Sequence, residues 1–267
     1  MAMTIHELKY SNTNTYLIEG DRGRILFDTG WAGTFPAFCS CIGEMNIPVQ
    51  GIDYILISHF HPDHMGIAQE IADIGPVIAV LDVQKEYIHN ADEVFEKEGN
   101  RDFKPIVDEK IRSLEIRESR AFLHELGIEG EILYTPGHSD DSISLCLDDG
   151  KLFVGDLNPI YELELHKGTQ IEESWKRLLS VDPTAVYYGH AKSVDLGSKS
   201  RVQEKQDDRF NLVAKIMKYI DKGMSLDKIQ RKTGADITFI EDVTRMYLTH
   251  QNVGVQGILD RIEIKGR

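Results

Sequence analysis

The sequence predicts an α+β layered protein with a helical C-terminal extension, on three observations. Short apolar runs of strand length recur between residues 16 and 188. Stretches with helical apolar spacing lie between them, so strands and helices alternate and must stack as layers. Past Ser193 the strand-like runs stop and amphipathic stretches of helix length follow. At about 100–200 residues per domain, the 267 residues divide into a body over 1–200 and an extension over 201–267.

In chain order, Tyr16-Leu17-Ile18 and Ile25-Leu26-Phe27 read as an antiparallel pair joined by the turn Gly20-Asp21-Arg22-Gly23. Apolar spacing predicts a helix over Thr34 to Met45. Tyr54–Ile57 and Val77–Val80 are continuous apolar runs, the pattern of strands buried on both faces. Helical spacing covers Gly66 to Ile74, Ile106 to Leu126 with Gly127 as its stop, and Ile171 to Leu179. The segment 82–126 reads as a long helical insertion whose Tyr87, Phe95 and Phe103 could cover a pocket as a lid. Ile143–Leu147 alternates and turns through Asp148-Asp149-Gly150 into Lys151–Val154, and Ala185–Tyr188 is a last strand. The extension reads as three or four helices. These include Arg201–Ile220, Leu226–Lys232 with Ser225 as N-cap, and a third from Thr238 to about Thr249.

Charge and composition narrow the function classes. The net charge is −14, with 34 acidic and 17 basic residues in the body but 10 acidic and 13 basic in the extension. An acidic body argues against broad electrostatic binding of nucleic acid or anionic membrane. No apolar run approaches the roughly 20 residues of a membrane span, and the first residues lack a signal-peptide pattern. Three cysteines, Cys39, Cys41 and Cys146, make no disulfide framework and point to a reduced, cytoplasmic setting. Cys39-x-Cys41 has the wrong spacing for a metal pair and reads as packing thiols.

The chemistry is concentrated in Ser58-His59-Phe60-His61-Pro62-Asp63-His64, directly after the strand ending at Ile57. Imidazole nitrogen and carboxylate oxygen are ligands for zinc and related metals. A strand end puts His59 and His61 on one side at period two, while Asp63 and His64 fall at a turn and can face a second ion. His138, Asp156 and His190 each sit beside glycine in a loop, in Pro136-Gly137-His138, Gly155-Asp156 and Gly189-His190. His6, His89, His124, His166 and His250 lack this setting and read as surface or packing residues.

These motifs, with Asn14-Thr15-Tyr16-Leu17-Ile18 leading to Phe27-Asp28-Thr29-Gly30, resemble the metallo-β-lactamase superfamily over roughly residues 10–195. The resemblance implies an αβ/βα four-layer sandwich with metals at one edge. It assigns His59, His61 and His138 to one ion, Asp63, His64 and His190 to a second, and Asp156 to both. Asp28 matches a family aspartate that orients ligands. The implied cofactors are two divalent ions, zinc first, with iron or manganese also accepted by such ligands. Two ions about 3.5–4 Å apart can share a hydroxide and lower the pKa of bound water toward ~7. Asp63 is the candidate catalytic residue, orienting the nucleophile or carrying a proton.

Branches of the family differ at identifiable positions. The zinc β-lactamases typically have Arg where this chain has His64 and Cys where it has Asp156, so β-lactam hydrolysis is disfavoured. The ligand set is similar to that of glyoxalase II, acyl-homoserine lactonases and tRNA-processing phosphodiesterases. Leu157-Asn158-Pro159-Ile160-Tyr161 replaces the glutathione-binding segment of glyoxalase II, and Tyr161 lies near, but out of register with, a lactonase tyrosine. The expectation is therefore a dinuclear hydrolase of an ester, thioester or lactone in a small molecule, with a homodimer possible. A phosphodiesterase on a small substrate is the alternative. A non-enzyme alternative takes Ser225–Leu248 as helix-turn-helix-like and the protein as a ligand-sensing regulator. Glu241 and Asp242 near the start of its second helix would repel phosphate.

Overall fold

A computed structural model describes residues 3–196, 208–249 and 253–265. The first sheet has six strands, β1 (Thr4–Leu8), β2 (Thr15–Glu19), β3 (Arg24–Phe27), β4 (Tyr54–Leu56), β5 (Val77–Leu81) and β6 (Ile111–Leu114), paired in chain order. β2 runs antiparallel to both β1 and β3, and β3 to β6 run parallel. Helices α1 (Phe35–Glu44), α2 (Pro62–Met65), α3 (Ala68–Ala72) and α4 (Asp92–Glu98) lie within the connections. The second sheet follows α5 (Ser119–Glu125). It comprises β7 (Gly130–Tyr134), β8 (Ile143–Leu147), β9 (Lys151–Phe153), β10 (Ala185–Tyr187) and β11 (Val194–Asp195), in the order β11-β10-β9-β8-β7, with α6 (Gln170–Leu179) between β9 and β10.

Side-chain alternation explains the layers. Leu17, Leu26, Ile55 and Ile78 point outward and pack with Phe38 and Ile42 of α1 and Ile71 of α3. Their neighbours Ile18, Ile25, Leu56 and Ala79 point inward and meet Ile132, Leu145 and Phe153 of the second sheet. Cys146, Leu152 and Val186 leave the other face of that sheet and pack on Trp175 and Leu178 of α6. Strands buried on both faces need continuous apolar runs, and this is why β4 and β5 read so strongly in sequence. The expected four-layer αβ/βα sandwich is the observed one.

Several element boundaries differ from expectation. The single helix over Ile106–Leu126 is replaced by β6, a 3-10 turn at Ile116–Glu118, and α5. Ile111 and Leu114 are three apart, a spacing that also fits a helix. Pairing of Ile78 with Ile111 and Leu81 with Leu114 settles them as strand. Gly127 ends α5 as expected, with φ +70°. The wider segment 82–126 is likewise not one helical insertion. It opens with a 3-10 helix over Asp82–Tyr87, then forms α4 and runs without helix to residue 107. Phe95 is buried in the outer core, stacked on Phe103 at 4.0 Å and edge-on to Trp31. The helix over Gly66–Ile74 is shortened to α3, because Gly66 donates its N–H to Gly30 O at 2.9 Å in the break after α2.

The C-terminal elements are α7 (Asp208–Asp221), α8 (Leu226–Thr233), α9 (Ile237–Thr249) and α10 (Val255–Lys265). Val213, Ile216, Ile229, Ile240, Val243 and Ile258 form a core of their own. The first part of the helix expected over Arg201–Ile220, the boundary at residue 200 and His250 lie outside the described residues. No described helix is long and apolar enough to cross a membrane.

Candidate metal centre

Five of the seven candidate ligands lie in loops that follow strands and two in the short helix after β4, and all seven converge at one edge of the sandwich. The loop after β4 carries His59 and His61 and leads into α2, whose first turn holds Asp63 and His64. The loop after β7 carries His138, that after β9 carries Asp156, and that after β10 carries His190. In layered α/β proteins the carboxyl ends of strands leave such a crevice, because the chain turns there into loops. Gly189 allows the close approach: a β-carbon on it would lie 2.5 Å from Asp156 Oδ1 and 2.8 Å from His64 Cε1.

The donor atoms fall into three overlapping groups that could each hold an ion: His59, His61 and His138; His59, His64 and Asp156; and Asp63, His64 and His190. In the first, His59 Nε2 and His138 Nε2 lie 3.0 and 3.2 Å from His61 Nδ1. Tetrahedral zinc with bonds of about 2.0–2.1 Å would separate its nitrogens by roughly 3.3 Å, so the spacing suits an ion. His190 Nε2 is 2.8 Å from Asp63 Oδ2. Asp156 Oδ2 stands 3.6 Å from both His138 Nε2 and His190 Nε2, between the two histidine groups. His64 Nε2 and Asp156 Oδ1 are buried 3.3 Å apart, and neither has a hydrogen-bond partner. Orphaned buried polar atoms are costly unless something else satisfies them, and a cation held between these groups would do so.

A second set of side chains aims the imidazoles. Asp28 is fully buried and left-handed, with φ +62°, a region an aspartate tolerates. Its Oδ1 accepts the Ser58 N–H at 2.7 Å, and its Oδ2 lies 2.9 Å from His64 Nδ1 and accepts the Ser58 hydroxyl at 2.9 Å. Ser58 Oγ lies 3.0 Å from His59 Nδ1. His190 Nδ1 lies 2.9 Å from the Asn12 carbonyl. These contacts leave Nε2 of His59, His64 and His190 free to face the centre, the usual carboxylate or carbonyl support of a ligating histidine. Asp28 therefore stands where the resemblance put it. Ser58 and Asp141 were not read from sequence. Asp141 Oδ2 accepts the Phe60 N–H between His59 and His61 at 2.7 Å, and Oδ1 accepts the Ser139 hydroxyl at 2.5 Å.

The electrostatics divide the histidines. Burial pushes His59 well below the usual imidazole range and His138 down to about 4. Burial also acts against charge on His64 and His190, but Asp156 and the neighbouring carboxylates outweigh it and raise both. Burial opposes ionisation of Asp63 and Asp156 too. His64 and His190 overcome it, so both stay carboxylates well below their ordinary range. Outside the centre, His6, His89 and His124 pair with surface carboxylates, and His166 is buried. Tyr161 does not face the ligands as a donor; its hydroxyl donates to Asp260 Oδ2 at 2.9 Å. Cys39 and Cys41 pack on the outer core, and all three cysteines are unpaired.

An αβ/βα sandwich with a His/Asp cluster at its strand ends defines a class of metal-centre proteins. Residues 9–190 match the family model described as metallo-beta-lactamase superfamily, and the chain belongs to that superfamily, most of whose members are hydrolases. Among curated relatives, a "Beta-lactamase-like protein 2 homolog" of Drosophila melanogaster is 28% identical over 68% of this chain and 60% of its own. An "Atrochrysone carboxyl ACP thioesterase" of Claviceps purpurea is 24% identical over 89% of this chain and 67% of its own. The match spans little more than half the length of the first such relatives. Among solved structures, TTHA1623 in a di-iron-bound form superposes with TM-score 0.56 at 23% identity, over 75% of this chain and 98% of that one. The family protein TTHA1429 of Thermus thermophilus gives 0.53 at 19% identity, over 98% of this chain and 92% of that one.

Proposed function

We propose that residues 1–200 form a dinuclear metal-dependent hydrolase of an ester, thioester or lactone in a small molecule, with thioesters the first class to test. The observation that carries this reading is Asp156 Oδ2, equidistant at 3.6 Å from a histidine of each group. A structural zinc site closes around one ion with four protein ligands. Seven donors with a shared carboxylate suit two ions and an open position. In this reading His59, His61 and His138 hold one ion, Asp63, His64 and His190 hold the other, and Asp156 serves both. Two bound ions would supply an ionised water as nucleophile and a Lewis acid for the substrate oxygen. Zinc is the first candidate, and the di-iron neighbour keeps iron a second.

The chain's own residues shape that chemistry. Asp28 and Ser58 hold His64 and His59 in the tautomer that turns Nε2 inward. Asp63 keeps Oδ2 on His190, and its Oδ1 lies 3.9 Å from His64 Nε2. An ionised oxygen at that place can orient the nucleophile or carry a proton. The curated relative named as a thioesterase supports a thioester, and His64 and Asp156 continue to disfavour β-lactams. Unpaired cysteines support a cytoplasmic setting.

The test is metal analysis, then a panel of thioester, ester, lactone, β-lactam and phosphodiester substrates. About two ions per chain and turnover of an acyl substrate are expected. Less than one ion per chain, with no activity on adding metal, overturns the dinuclear reading; turnover of phosphodiesters alone overturns the bond assignment. Asp63→Asn should lower kcat by roughly 10²-fold, within the usual range for a positioned acid or base. Full metal content with full activity in that variant would remove the role given to Asp63.

A further inference from the structure

A buried carboxylate of the C-terminal extension holds the loops behind the candidate metal centre. Asp260 of α10 is 2% exposed. Its Oδ2 accepts the Tyr161 hydroxyl at 2.9 Å and the Lys192 N–H at 3.3 Å, and its Oδ1 accepts Gln256 Nε2 at 2.8 Å. Tyr161 lies five residues after Asp156, and Lys192 two residues after His190. One carboxylate on the extension therefore ties together the two loops that carry the shared ligand and one ligand of the second ion. Tyr188 joins the same loops from within, its hydroxyl accepting the Ile160 N–H at 3.1 Å.

The rest of α10 is built to sit there. Buried Glu162, next to Tyr161, accepts the Gly254 N–H at 2.7 Å. A β-carbon on Gly257 would lie 2.5 Å from Glu162 Oε1, so a larger residue there would push the Glu162 side chain aside. Arg261 lines a cavity of about 10 Å³ together with Asp156 and His190. The first-ion ligands His59, His61 and His138 come from loops that none of these hydrogen bonds touches.

We propose that α10 is a positioning element of the second metal site and that Asp260 is the residue through which it acts. The inference rests on the dinuclear reading and extends it to residues 201–267. Hydrogen bonds behind metal ligands typically change metal affinity by about 10–100-fold, because they fix the loop before the ion arrives. Asp260 acts one step further out, on the loops that carry Asp156 and His190. The second ion takes both of those ligands and the first only Asp156, so loss of these bonds should fall more heavily on the second ion.

The experiment titrates the metal-free full chain with Co(II), against a competing chelator and by its absorption bands, in wild type and three variants. In wild type two binding steps are expected. Asp260→Ala should weaken the second step by about 10-fold, the lower end of that range, and the first step by clearly less. Asp260→Asn keeps an oxygen acceptor for Lys192 and Tyr161 and should restore the second step. Tyr161→Phe removes one of the bonds and should give a smaller shift of the same kind. Should the alanine variant fail to fold, Tyr161→Phe carries the test. Equal weakening of both steps, no weakening in any variant, or an asparagine variant as weak as alanine would overturn the inference while leaving the two-ion reading intact. A wild-type chain that binds fewer than two ions would overturn both.

Discussion

Asp28 shows how much one side chain decides. It serves the Ser58 N–H, the Ser58 hydroxyl and His64 Nδ1 from a fully buried position at φ +62°. Asparagine also tolerates that backbone, so Asp28→Asn isolates the loss of the carboxylate. Metal affinity should fall by about 10–100-fold, and a chelator competition would measure it; unchanged affinity would mean that Asp28 orients nothing. A second residue sets an acid limit on stability. Asp73, at the end of α3, is held down to about 2 by the Lys110 ammonium, then Gln69, with burial opposing. An unfolded aspartate titrates near 3.9, so the folded state binds the proton less well. The stabilisation is full above about pH 4 and is lost as pH falls through about 2. Asp73→Asn should remove that part of the acid limb in urea titrations; because the side chain is 37% exposed, the effect should be small and should shrink in salt.

Helices and strands follow local pattern only while no neighbour intervenes. Gly66 and Gly43 give opposite expectations for the same substitution. A β-carbon on Gly66 would sit 2.3 Å from the Ala32 backbone nitrogen, whereas one on Gly43 meets nothing within 4 Å. Gly66→Ala should therefore destabilise by about 1–3 kcal/mol through overpacking and shift the loop beside the second-site ligands. Gly43→Ala, inside α1, should stabilise by about 0.5–1 kcal/mol. Melting of both variants checks the pair, and equal signs would refute the packing argument. β6 is a strand that local pattern reads as helix. Ile111 and Leu114 satisfy helical spacing, and only the neighbouring edge of β5 converts them to strand.

At the level of the whole molecule, the sandwich holds Asp28, Asp63 and Asp156 together at one edge, and bound cations would offset that negative charge. Removing metal should lower the melting temperature, and adding it back should restore it. A ligand at 100 times its Kd contributes about 2.7 kcal/mol to folding stability. No change in melting on chelation would mean that the centre is not loaded in the purified protein. The net charge of −14 combines an acidic body that carries the site with a slightly basic extension whose α10 is hydrogen-bonded to two of its loops. This contact favours a structural partnership of extension and body over an independent nucleic-acid module. Retention on a DNA or RNA column that weakens steeply with salt would argue the opposite.

Local pattern along the chain carries the candidate ligand types, their placement after strands, and the layered class. Those signals are local: a histidine and a carboxylate carry their chemistry wherever they stand, and a strand buried on both faces must be apolar throughout. Folding alone establishes how β6 pairs, how close the candidate donors stand to one another, and that Ser58 and Asp141 join Asp28 in supporting the site. Asp141 meets Phe60 across 81 residues of chain, and Asp260 meets Lys192 across 68. Neither residue type has a spacing signature, because a hydrogen bond between distant loops depends on where the fold brings them and not on what surrounds them in sequence.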